Sequence, residues 1–314
     1  MLKVYVTRPL PEKVLSELSA IAELDVRQET SGLTASEMNA LMANYEVILC
    51  TLGDMAQDFS GALKCKLLAN FGVGYNHIDA TAAGAAGIAV TNTPGAVTDA
   101  TADIAMTLIL MTARRAGEGE RVVRAGQWQG WHPTQFLGTH VSGKTVGIIG
   151  MGRIGQAIAR RCHFGFGMDV VYYNRSPKEL DFPATRLDQI TDVMAAADFI
   201  SLSTPGGAGT QHLIGQAELS AMKPTGFLIN TSRGEVIDEA ALVAALHAGA
   251  IAGAGLDVYE HEPNVSSELL KMDNVTLLPH LGTAALNVRE EMGLMAVKNI
   301  RAYVTDQKLP NLVT

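Results

Sequence analysis

The sequence contains few aromatic residues, and acidic side chains outnumber basic ones. Phe, Trp and Tyr make up 5% of the 314 residues, which argues against a surface that stacks nucleic-acid bases. Lys and Arg number 24 against 32 Asp and Glu, so the formal net charge is −8. A chain of this charge repels phosphate backbones and anionic membranes. No run reaches the roughly 18 apolar residues of a transmembrane helix. Neither nucleic-acid nor membrane binding is therefore expected.

Cysteine is also scarce. Cys50, Cys65 and Cys162 are widely spaced and form no CxxC pair, which is typical of free thiols in a reducing cytosol. The first residues do not resemble a signal peptide, so we expect a cytoplasmic location. The H-E-x-x-H zinc motif is not completed near Glu262, because Val265 stands where its second His would be. No catalytic metal is expected.

Short apolar runs alternate with helical patterns along the chain, whose length corresponds to about two domains. This alternation predicts parallel sheets with helical crossovers, and thus the α/β class. In the first third we predict helices after Pro11, Thr34 and Asp79 and strands at Lys3–Thr7, Leu24–Arg27, Val47–Cys50, Leu67–Phe71 and Ile88–Thr91. Thr34 and Glu37 fit a capping box, in which each side chain accepts a hydrogen bond from the other's backbone N–H.

A second alternating series follows one long predicted helix. That helix runs from Asp99, as its N-cap, to about Glu118. The chain ends in another helical pattern, from about Ala285 to Tyr303. The strands between the two are predicted at Thr145–Ile149, Asp169–Tyr173, Phe199–Ser203, Phe227–Asn230, Gly253–Asp257 and Val275–Leu278.

The segment Gly126–Pro133 differs from its surroundings because it is rich in glycine and holds both tryptophans of the chain, Trp128 and Trp131. We interpret it as an arm that faces a partner subunit, since Trp combines a large apolar area with a polar group. The alternative is a surface loop with one Trp packed into its own subunit. The first interpretation implies a homodimer.

A glycine-rich loop follows the predicted strand Thr145–Ile149. In the sequence Gly150-Met-Gly152-Arg-Ile-Gly155, the first glycine allows a tight turn and the second lets backbone approach a pyrophosphate. Gly155 allows close packing of helix and strand. The helix that begins here presents free N–H groups to phosphate. Because the motif joins a strand to a helix, it predicts a dinucleotide site.

The next strand ends in Asn174-Arg175-Ser176, which bears on the choice of dinucleotide. Asn174 lies 19 residues after Gly155, near the position where an Asp or Glu would bind the ribose 2′-hydroxyl of NAD. No acid stands there, and Arg175 offers a positive charge to a 2′-phosphate. We predict a preference for NADP(H), with NAD(H) possible. The alternative is a solvated arginine that gives weak selectivity.

Three further motifs follow the glycine loop in order. They are Asn230-Thr-Ser-Arg-Gly234, Asp257-Val-Tyr-Glu-His-Glu-Pro263 and Leu278-Pro-His-Leu-Gly-Thr283. With the glycine loop and Asn70-Phe-Gly-Val-Gly-Tyr-Asn-His-Ile-Asp79, they resemble the D-isomer-specific 2-hydroxyacid dehydrogenase family over essentially the whole chain. Within that family the sequence is most similar to glyoxylate/hydroxypyruvate reductases.

The resemblance implies three catalytic side chains. Arg233 offers a planar fork for a carboxylate and the neighbouring carbonyl. His280 is the expected proton donor, because imidazole titrates near neutral pH. Glu262 is expected to orient His280 and stabilise its cationic form. After His280 many relatives have Gly-Ser-x-Thr; Ala285 of this chain lacks the hydroxyl of the last position.

The resemblance also implies binding residues in both halves of the chain. Consecutive amides near Val73 and Gly74 form an anion nest for the substrate carboxylate, opposite Arg233. Leu52 and Gly53 are expected to form a wall of the substrate pocket, and Trp131 to reach the neighbouring subunit's active site. The expected cofactor contacts are Thr101, Gly150, Gly152, Arg153, Ile154, Gly155, Asn174, Arg175, Ser176, Thr204, Pro205, Thr210, Thr231, Asp257 and Gly282.

The implied architecture has two doubly wound parallel-sheet domains. Residues 1–98 and 285–314 form a flavodoxin-like substrate domain, and residues 99–284 form a Rossmann dinucleotide-binding domain, with the active site in the cleft between them. The expected reaction is NADPH-dependent reduction of glyoxylate or hydroxypyruvate. Alternatives are a larger sugar-derived or branched 2-keto acid, or a non-catalytic dinucleotide sensor of the corepressor kind. The intact Arg233, Glu262 and His280 set argues against a pure sensor.

Overall fold

The computed structural model describes all 314 residues, and the chain divides into two compact units. The first comprises Met1–Val97 and Ala284–Thr314, and the second comprises Thr98–Thr283. Each unit contains one parallel sheet, which confirms the fold class predicted from the alternating pattern. No helix is both long enough and apolar enough to pass through a membrane.

The first unit is built on a five-stranded sheet with the order β2-β1-β3-β4-β5, which is the flavodoxin-like order. Its strands are β1 (Lys3–Val6), β2 (Glu23–Val26), β3 (Val47–Thr51), β4 (Leu67–Phe71) and β5 (Ala89–Thr91). Its first helices are α1 (Glu12–Ser19), α2 (Ala35–Asn44) and α3 (Ala80–Ala85). Strands β3, β4 and β5 are neighbours, so the loops that follow them lie together at the carboxyl edge of the sheet.

Helix α2 begins at the capping box predicted from the sequence. The backbone N–H of Glu37 donates to Thr34 Oγ1 at 3.3 Å, and the backbone N–H of Thr34 donates to Glu37 Oε2 at 2.8 Å. The two side chains therefore satisfy two of the N–H groups that a helix N-terminus leaves unpaired.

The second unit is built on a seven-stranded parallel sheet with the order β12-β11-β10-β9-β6-β7-β8. This is the Rossmann order with one added strand. Its strands are β6 (Thr145–Ile149), β7 (Asp169–Tyr173), β8 (Thr185–Arg186), β9 (Phe199–Leu202), β10 (Phe227–Asn230), β11 (Gly253–Leu256) and β12 (Val275–Leu277). Strand β8 was not predicted, because two residues carry no periodic pattern.

The helices of the second unit are α4 (Thr98–Ala113), α5 (Ala116–Arg124), α6 (Arg153–Arg160), α7 (Ile190–Ala196), α8 (Gln216–Ala221) and α9 (Glu239–His247). A π-helical turn, Arg161–Gly165, continues α6. The last helix, α10 (Leu286–Val304), belongs to the first unit. All three cysteines are buried and unpaired, in agreement with their interpretation as free thiols.

The prediction of one helix from Asp99 to about Glu118 was wrong. Helix α4 ends at Ala113, and Arg115 adopts a left-handed conformation with φ 51° before α5 begins. The carbonyl of Ala113 accepts a hydrogen bond from Thr139 N at 2.7 Å. A chain segment 26 positions later thus takes the acceptor that a continuing helix would use. Asp99 lies in the first turn of α4 and is not its N-cap.

Helix α4 lies close to β11 because the strand presents glycine where the helix crosses it. A Cβ on Gly255 would lie 2.9 Å from Thr112 Oγ1 and 3.0 Å from Leu108 Cβ of the helix. Side chains larger than hydrogen at Gly255 would push the two elements apart. This packing places the start of α4, with Thr101, near the end of β11, which leads to Asp257.

Candidate active site

The glycine loop after β6 has the geometry expected of a phosphate-binding turn. Gly150 has φ +98°, and a Cβ there would lie 2.7 Å from the carbonyl oxygen of Ser203. A Cβ on Gly155 would lie 2.2 Å from the carbonyl oxygen of Gly150. A Cβ on Gly152, by contrast, would meet no atom within 4 Å. Gly150 and Gly155 therefore serve the turn and its packing, whereas Gly152 leaves room beside the start of α6.

The hydroxyl groups near this loop fit a nucleotide cofactor. The side-chain oxygens of Ser203, Thr204 and Thr231 are buried and have no hydrogen-bond partner within the chain. Ser203 and Thr204 lie against Gly150, and Thr231 follows β10, so these unpaired hydroxyls at the carboxyl ends of β9 and β10 are available for ligand contacts. Thr210 differs, because its Oγ1 donates to the carbonyl of Pro205 at 2.7 Å.

The side chain of Asn174 binds the glycine loop itself. Its Oδ1 accepts a hydrogen bond from Met151 N at 3.1 Å, and its Nδ2 donates to the carbonyl of Ser176 at 2.8 Å. The exposed side chains at the end of β7 are therefore those of Arg175 and Ser176. With exposed Arg153, they are the groups available to an anionic substituent.

Arg233 lies in a loop whose backbone is fixed on both sides. Asn230, at the end of β10, accepts from Ser232 N at 2.9 Å and donates to the carbonyl of Arg233 at 2.9 Å. A Cβ on Gly234 would lie 1.8 Å from the carbonyl carbon of Tyr259. Only glycine lets the two loops approach in this way. The packing joins the loop of Arg233 to the segment that carries Glu262.

The guanidinium of Arg233 is coupled to Glu262. Burial lowers the pKa of Arg233 from its usual value, and the negative charges of Glu262 and Glu235 act in the opposite direction. An arginine remains charged under such a shift. Arg233 thus places a positive charge in a largely dehydrated loop, where it binds an anion more strongly than it would in water.

His280 and Glu262 form a hydrogen-bonded pair. The distance from His280 Nδ1 to Glu262 Oε2 is 2.8 Å, and Glu262 Oε1 accepts from Tyr259 N at 3.0 Å. Burial raises the pKa of Glu262, but the hydrogen bond and charge of His280 outweigh it and leave the pKa below its usual value. Glu262 is therefore an anion at neutral pH, and Nε2 is the ring nitrogen of His280 that faces away from it.

The backbone at His280 is strained. Its φ is 55°, in the left-handed region that costs a non-glycine residue about 1–2 kcal/mol. Its N–H donates to the carbonyl of Asp257 at 2.9 Å. Strain of this kind persists where the surrounding structure fixes the residue, and it is frequent at active sites.

Asp257 holds the loop that follows His280. Its carboxylate is buried and accepts from Leu281 N at 2.6 Å and from Gly282 N at 2.8 Å. Burial raises the pKa of Asp257, and the two backbone N–H groups act against this rise. Thr101 Oγ1 donates to the carbonyl of Gly282 at 3.2 Å. The structure thus brings Thr101, Asp257 and Gly282 together with His280.

The predicted substrate-binding residues of the first unit lie in the loops after β3 and β4. Leu52 is 39% exposed, and Gly53 has φ +91°. The next residue, Asp54, is fully buried and accepts hydrogen bonds from Thr51 N at 2.7 Å and Leu33 N at 3.2 Å. Val73 and Gly74 follow β4. The four residues predicted to bind substrate therefore share the carboxyl edge of one sheet.

The tryptophan-bearing arm is exposed on the second unit. Trp131 is 80% exposed and Trp128 is 54% exposed. Helix α5, which leads into the arm, buries none of its residues. Trp131 is thus largely exposed, whereas Trp128 is partly covered by its own chain, where its Nε1 donates to Gln135 Oε1 at 3.4 Å.

Several supporting residues were not assigned a role from the sequence. Asn230 and Asn70 each stand near the end of an apolar strand, and Gly234 follows Arg233 directly. A polar residue at the end of a buried strand is the signal that could have revealed the two asparagines. The contact between Gly234 and Tyr259 joins positions 25 residues apart and has no local signal.

Comparison with known proteins identifies the class. Residues 106–282 match the protein family described as "D-isomer specific 2-hydroxyacid dehydrogenase, NAD binding domain". The fold and the site accordingly define an oxidoreductase with a domain for a nicotinamide dinucleotide. The chain belongs to the D-isomer-specific 2-hydroxyacid dehydrogenase family.

The chain is similar along its whole length to curated glyoxylate reductases. It is 42% identical to that of Thermococcus litoralis over 320 residues, which covers 99% of this chain and 96% of the relative. It is also 42% identical to that of Pyrococcus horikoshii, with 99% and 95% covered. The NADPH-dependent glyoxylate/hydroxypyruvate reductase of Sinorhizobium meliloti, solved with NADP and malonate, is 36% identical with a TM-score of 0.87 and 100% and 97% coverage.

Proposed function

We propose that the protein reduces glyoxylate and hydroxypyruvate to glycolate and D-glycerate with NADPH. The observation that carries this proposal is the His280–Glu262 pair beside the buried guanidinium of Arg233. It supplies, within one unit, a proton donor, its orienting anion and a carboxylate anchor. The curated relatives named above support glyoxylate as a substrate.

In the proposed reaction, His280 donates a proton from Nε2 to the carbonyl oxygen of the 2-keto acid. Glu262 holds the ring through Nδ1 and stabilises its cationic form. Arg233 binds the carboxylate and the neighbouring carbonyl oxygen through its planar fork, which polarises the carbonyl. The backbone N–H groups of Val73 and Gly74 also bind the carboxylate, and Leu52 and Gly53 form a wall against the substrate.

A nicotinamide cofactor, when bound, supplies the hydride to the carbonyl carbon. The residues that would hold its phosphates are Gly152 and the first N–H groups of α6, and the unpaired hydroxyls of Thr204 and Thr231 are further contacts. Arg175 would bind a 2′-phosphate. A relative solved with NADP supports a preference for NADPH. The expected further contacts are those of Thr101, Ile154, Pro205, Thr210, Asp257 and Gly282.

We also propose that the protein is a homodimer whose arm, Gly126–Pro133, packs against the partner subunit. The exposure of Trp128 and Trp131 in one short segment supports this assembly, because Trp is enriched at protein–protein interfaces. Trp131 would then reach the partner's substrate site. Light scattering of the purified protein should give twice the chain mass, and a monomer would contradict the assembly. A cytoplasmic location remains a prediction from the three unpaired thiols.

The proposed function is tested with a panel of 2-keto acids and both cofactors, followed at the nicotinamide absorbance. The highest kcat/KM should be found for glyoxylate or hydroxypyruvate with NADPH. A higher value for a branched or sugar-derived 2-keto acid would favour the larger-substrate alternative. Tight NADPH binding without turnover of any 2-keto acid would overturn the proposal in favour of a dinucleotide sensor.

A further inference from the structure

In the loop after β4, three successive backbone carbonyls are bound by asparagine side chains. The oxygens of Gly72, Val73 and Gly74 all accept hydrogen bonds from groups of their own unit. Two of these carbonyls bind one side chain: Asn70 Nδ2 donates to Gly72 O and to Gly74 O, each at 3.0 Å. Asn92 Nδ2 donates to the carbonyl of Val73 at 2.9 Å.

These contacts determine where the N–H groups of the loop point. In a planar trans peptide the C=O and the following N–H are directed to opposite sides. Because the carbonyl of Gly72 points to Asn70, the N–H of Val73 in the same peptide points away from Asn70. Because the carbonyl of Val73 points to Asn92, the N–H of Gly74 points away from Asn92. Neither N–H donates a hydrogen bond to another group of the chain. They form the anion nest proposed above.

The orientation of the Asn70 side chain follows from the same contacts. The residue is 1% exposed, and two carbonyl oxygens lie near one end of its amide. Only the NH2 group can donate to both, whereas Oδ1 in that place would repel them. Oδ1 is left buried without a partner. A buried, incompletely paired amide is retained at a cost in stability, which indicates a role other than stability.

The second asparagine is supported from the end of the chain. Asn92 N donates to the carbonyl of Asn311 at 3.2 Å, and Asn311 N donates to Asn299 Oδ1 at 3.0 Å. Asn299 is fully buried in α10. The last helix of the chain thus helps to fix the side chain that binds the carbonyl of Val73.

We propose that Asn70 and Asn92 are positioning residues for substrate binding: they hold the carbonyls of Gly72 and Val73 so that the N–H groups of the same two peptides, those of Val73 and Gly74, face the substrate carboxylate. This inference rests on the proposed function. It assigns these asparagines to binding and not to the chemical step. Their loss should therefore weaken binding of 2-keto acids while the bound substrate still reacts.

The test uses Asn70→Leu, which keeps the number and branching of the side-chain heavy atoms and removes the donor. We expect the KM for glyoxylate to rise about tenfold or more, with kcat changed by less than about threefold. The dissociation constant of the inert analogue oxamate, measured by calorimetry on the NADPH-loaded enzyme, should rise with KM. Asn92→Leu should show the same split, because it releases the carbonyl of Val73, whose peptide carries the N–H of Gly74.

Asn39→Leu is the matched control. Asn39 also donates to two carbonyls of one loop in the same unit, Asp58 O at 2.9 Å and Ser60 O at 3.1 Å, but it does not contact the nest. It should leave KM and oxamate affinity unchanged. A shift of the same size in this variant would overturn the assignment of the effect to the nest.

A folded Asn70→Leu variant with wild-type KM and oxamate affinity would overturn the inference. If that variant does not melt cooperatively, Asn92→Leu decides in the same way. A wild-type enzyme that turns over no 2-keto acid would instead contradict the proposed function. Failure of the inference is thus seen in the KM of the asparagine variants, whereas failure of the proposed function is seen in the turnover of the wild-type enzyme.

Discussion

The two units present opposite kinds of binding group at the carboxyl ends of their sheets. In the second unit the proposed chemistry is carried by side chains, with His280 paired to Glu262 at 2.8 Å and Arg233 nearby. In the first unit the expected substrate contacts are backbone N–H groups, and the asparagine side chains face away from them to bind carbonyls. Side-chain groups can move protons, whereas backbone amides can only bind. Under the proposed function, proton transfer therefore belongs to the second unit alone, and the first unit contributes only to binding.

The largest effect is expected for His280→Ala. Loss of a general acid lowers kcat by about 10²–10⁴-fold, while the NADPH dissociation constant and oxamate affinity stay within about threefold. Steady-state kinetics and calorimetry measure the two quantities. His247→Ala, an exposed histidine at the end of α9, is the control. A near-normal kcat in His280→Ala would end the assignment of proton transfer to the second unit.

A smaller effect is expected for Arg233→Lys, which keeps the charge and removes the planar fork. The kcat/KM for glyoxylate should fall about tenfold to a hundredfold, since one charge-assisted hydrogen bond contributes about 1.5–3 kcal/mol. Both kcat and KM should change, because Arg233 is proposed to contact both the carboxylate and the reacting carbonyl. Arg301→Lys, on the surface of α10, should change neither. A rise in KM with unchanged kcat would show that Arg233 contributes to substrate binding and not to the chemical step.

Glu262→Gln tests the side-chain chemistry of the second unit through the pH dependence of kcat/KM. The pKa of Glu262 lies below its usual value, so the carboxylate is ionised above that pKa and is lost only as pH falls through it. In the variant, kcat should fall about tenfold, because the anion that orients His280 is lost. The acid limb of the wild-type kcat/KM profile that follows protonation of Glu262 should be absent, because glutamine does not titrate. The Glu260–His212 pair provides a control, since Glu260→Gln should leave that limb in place.

The smallest effect is expected for Arg175→Ala, which alters cofactor choice and neither part of the substrate site. The NADPH-to-NADH ratio of kcat/KM should fall several-fold, since an exposed ion pair contributes about 1 kcal/mol or less. The oxamate affinity of the cofactor-loaded enzyme should not change. Lys271→Ala, which also removes one exposed positive charge, is the control and should leave the ratio unchanged. An unchanged NADPH-to-NADH ratio in Arg175→Ala would show that Arg175 does not bind the cofactor.

The sequence predicts the side-chain half of the candidate site better than the backbone half. Periodic apolar runs predict both sheets, because strand burial depends on local pattern. Arg233, Glu262 and His280 are predicted from the motifs that resemble the family. The break at Arg115 could not be predicted, because it depends on Thr139 binding the carbonyl of Ala113. The orientation of the peptides at Val73 could not either, because it depends on Asn70 and Asn92 approaching in three dimensions.

The most direct test of the account is a double-mutant cycle on the His280–Glu262 pair, with kcat for glyoxylate measured in four proteins. Glu262 is expected to affect the proton-transfer step through His280, which it orients. The His280→Ala/Glu262→Gln double variant should therefore have the same kcat as His280→Ala alone. Losses that multiply, so that the double variant is slower than His280→Ala by the full factor of Glu262→Gln, would show that the two residues act independently and would contradict the account.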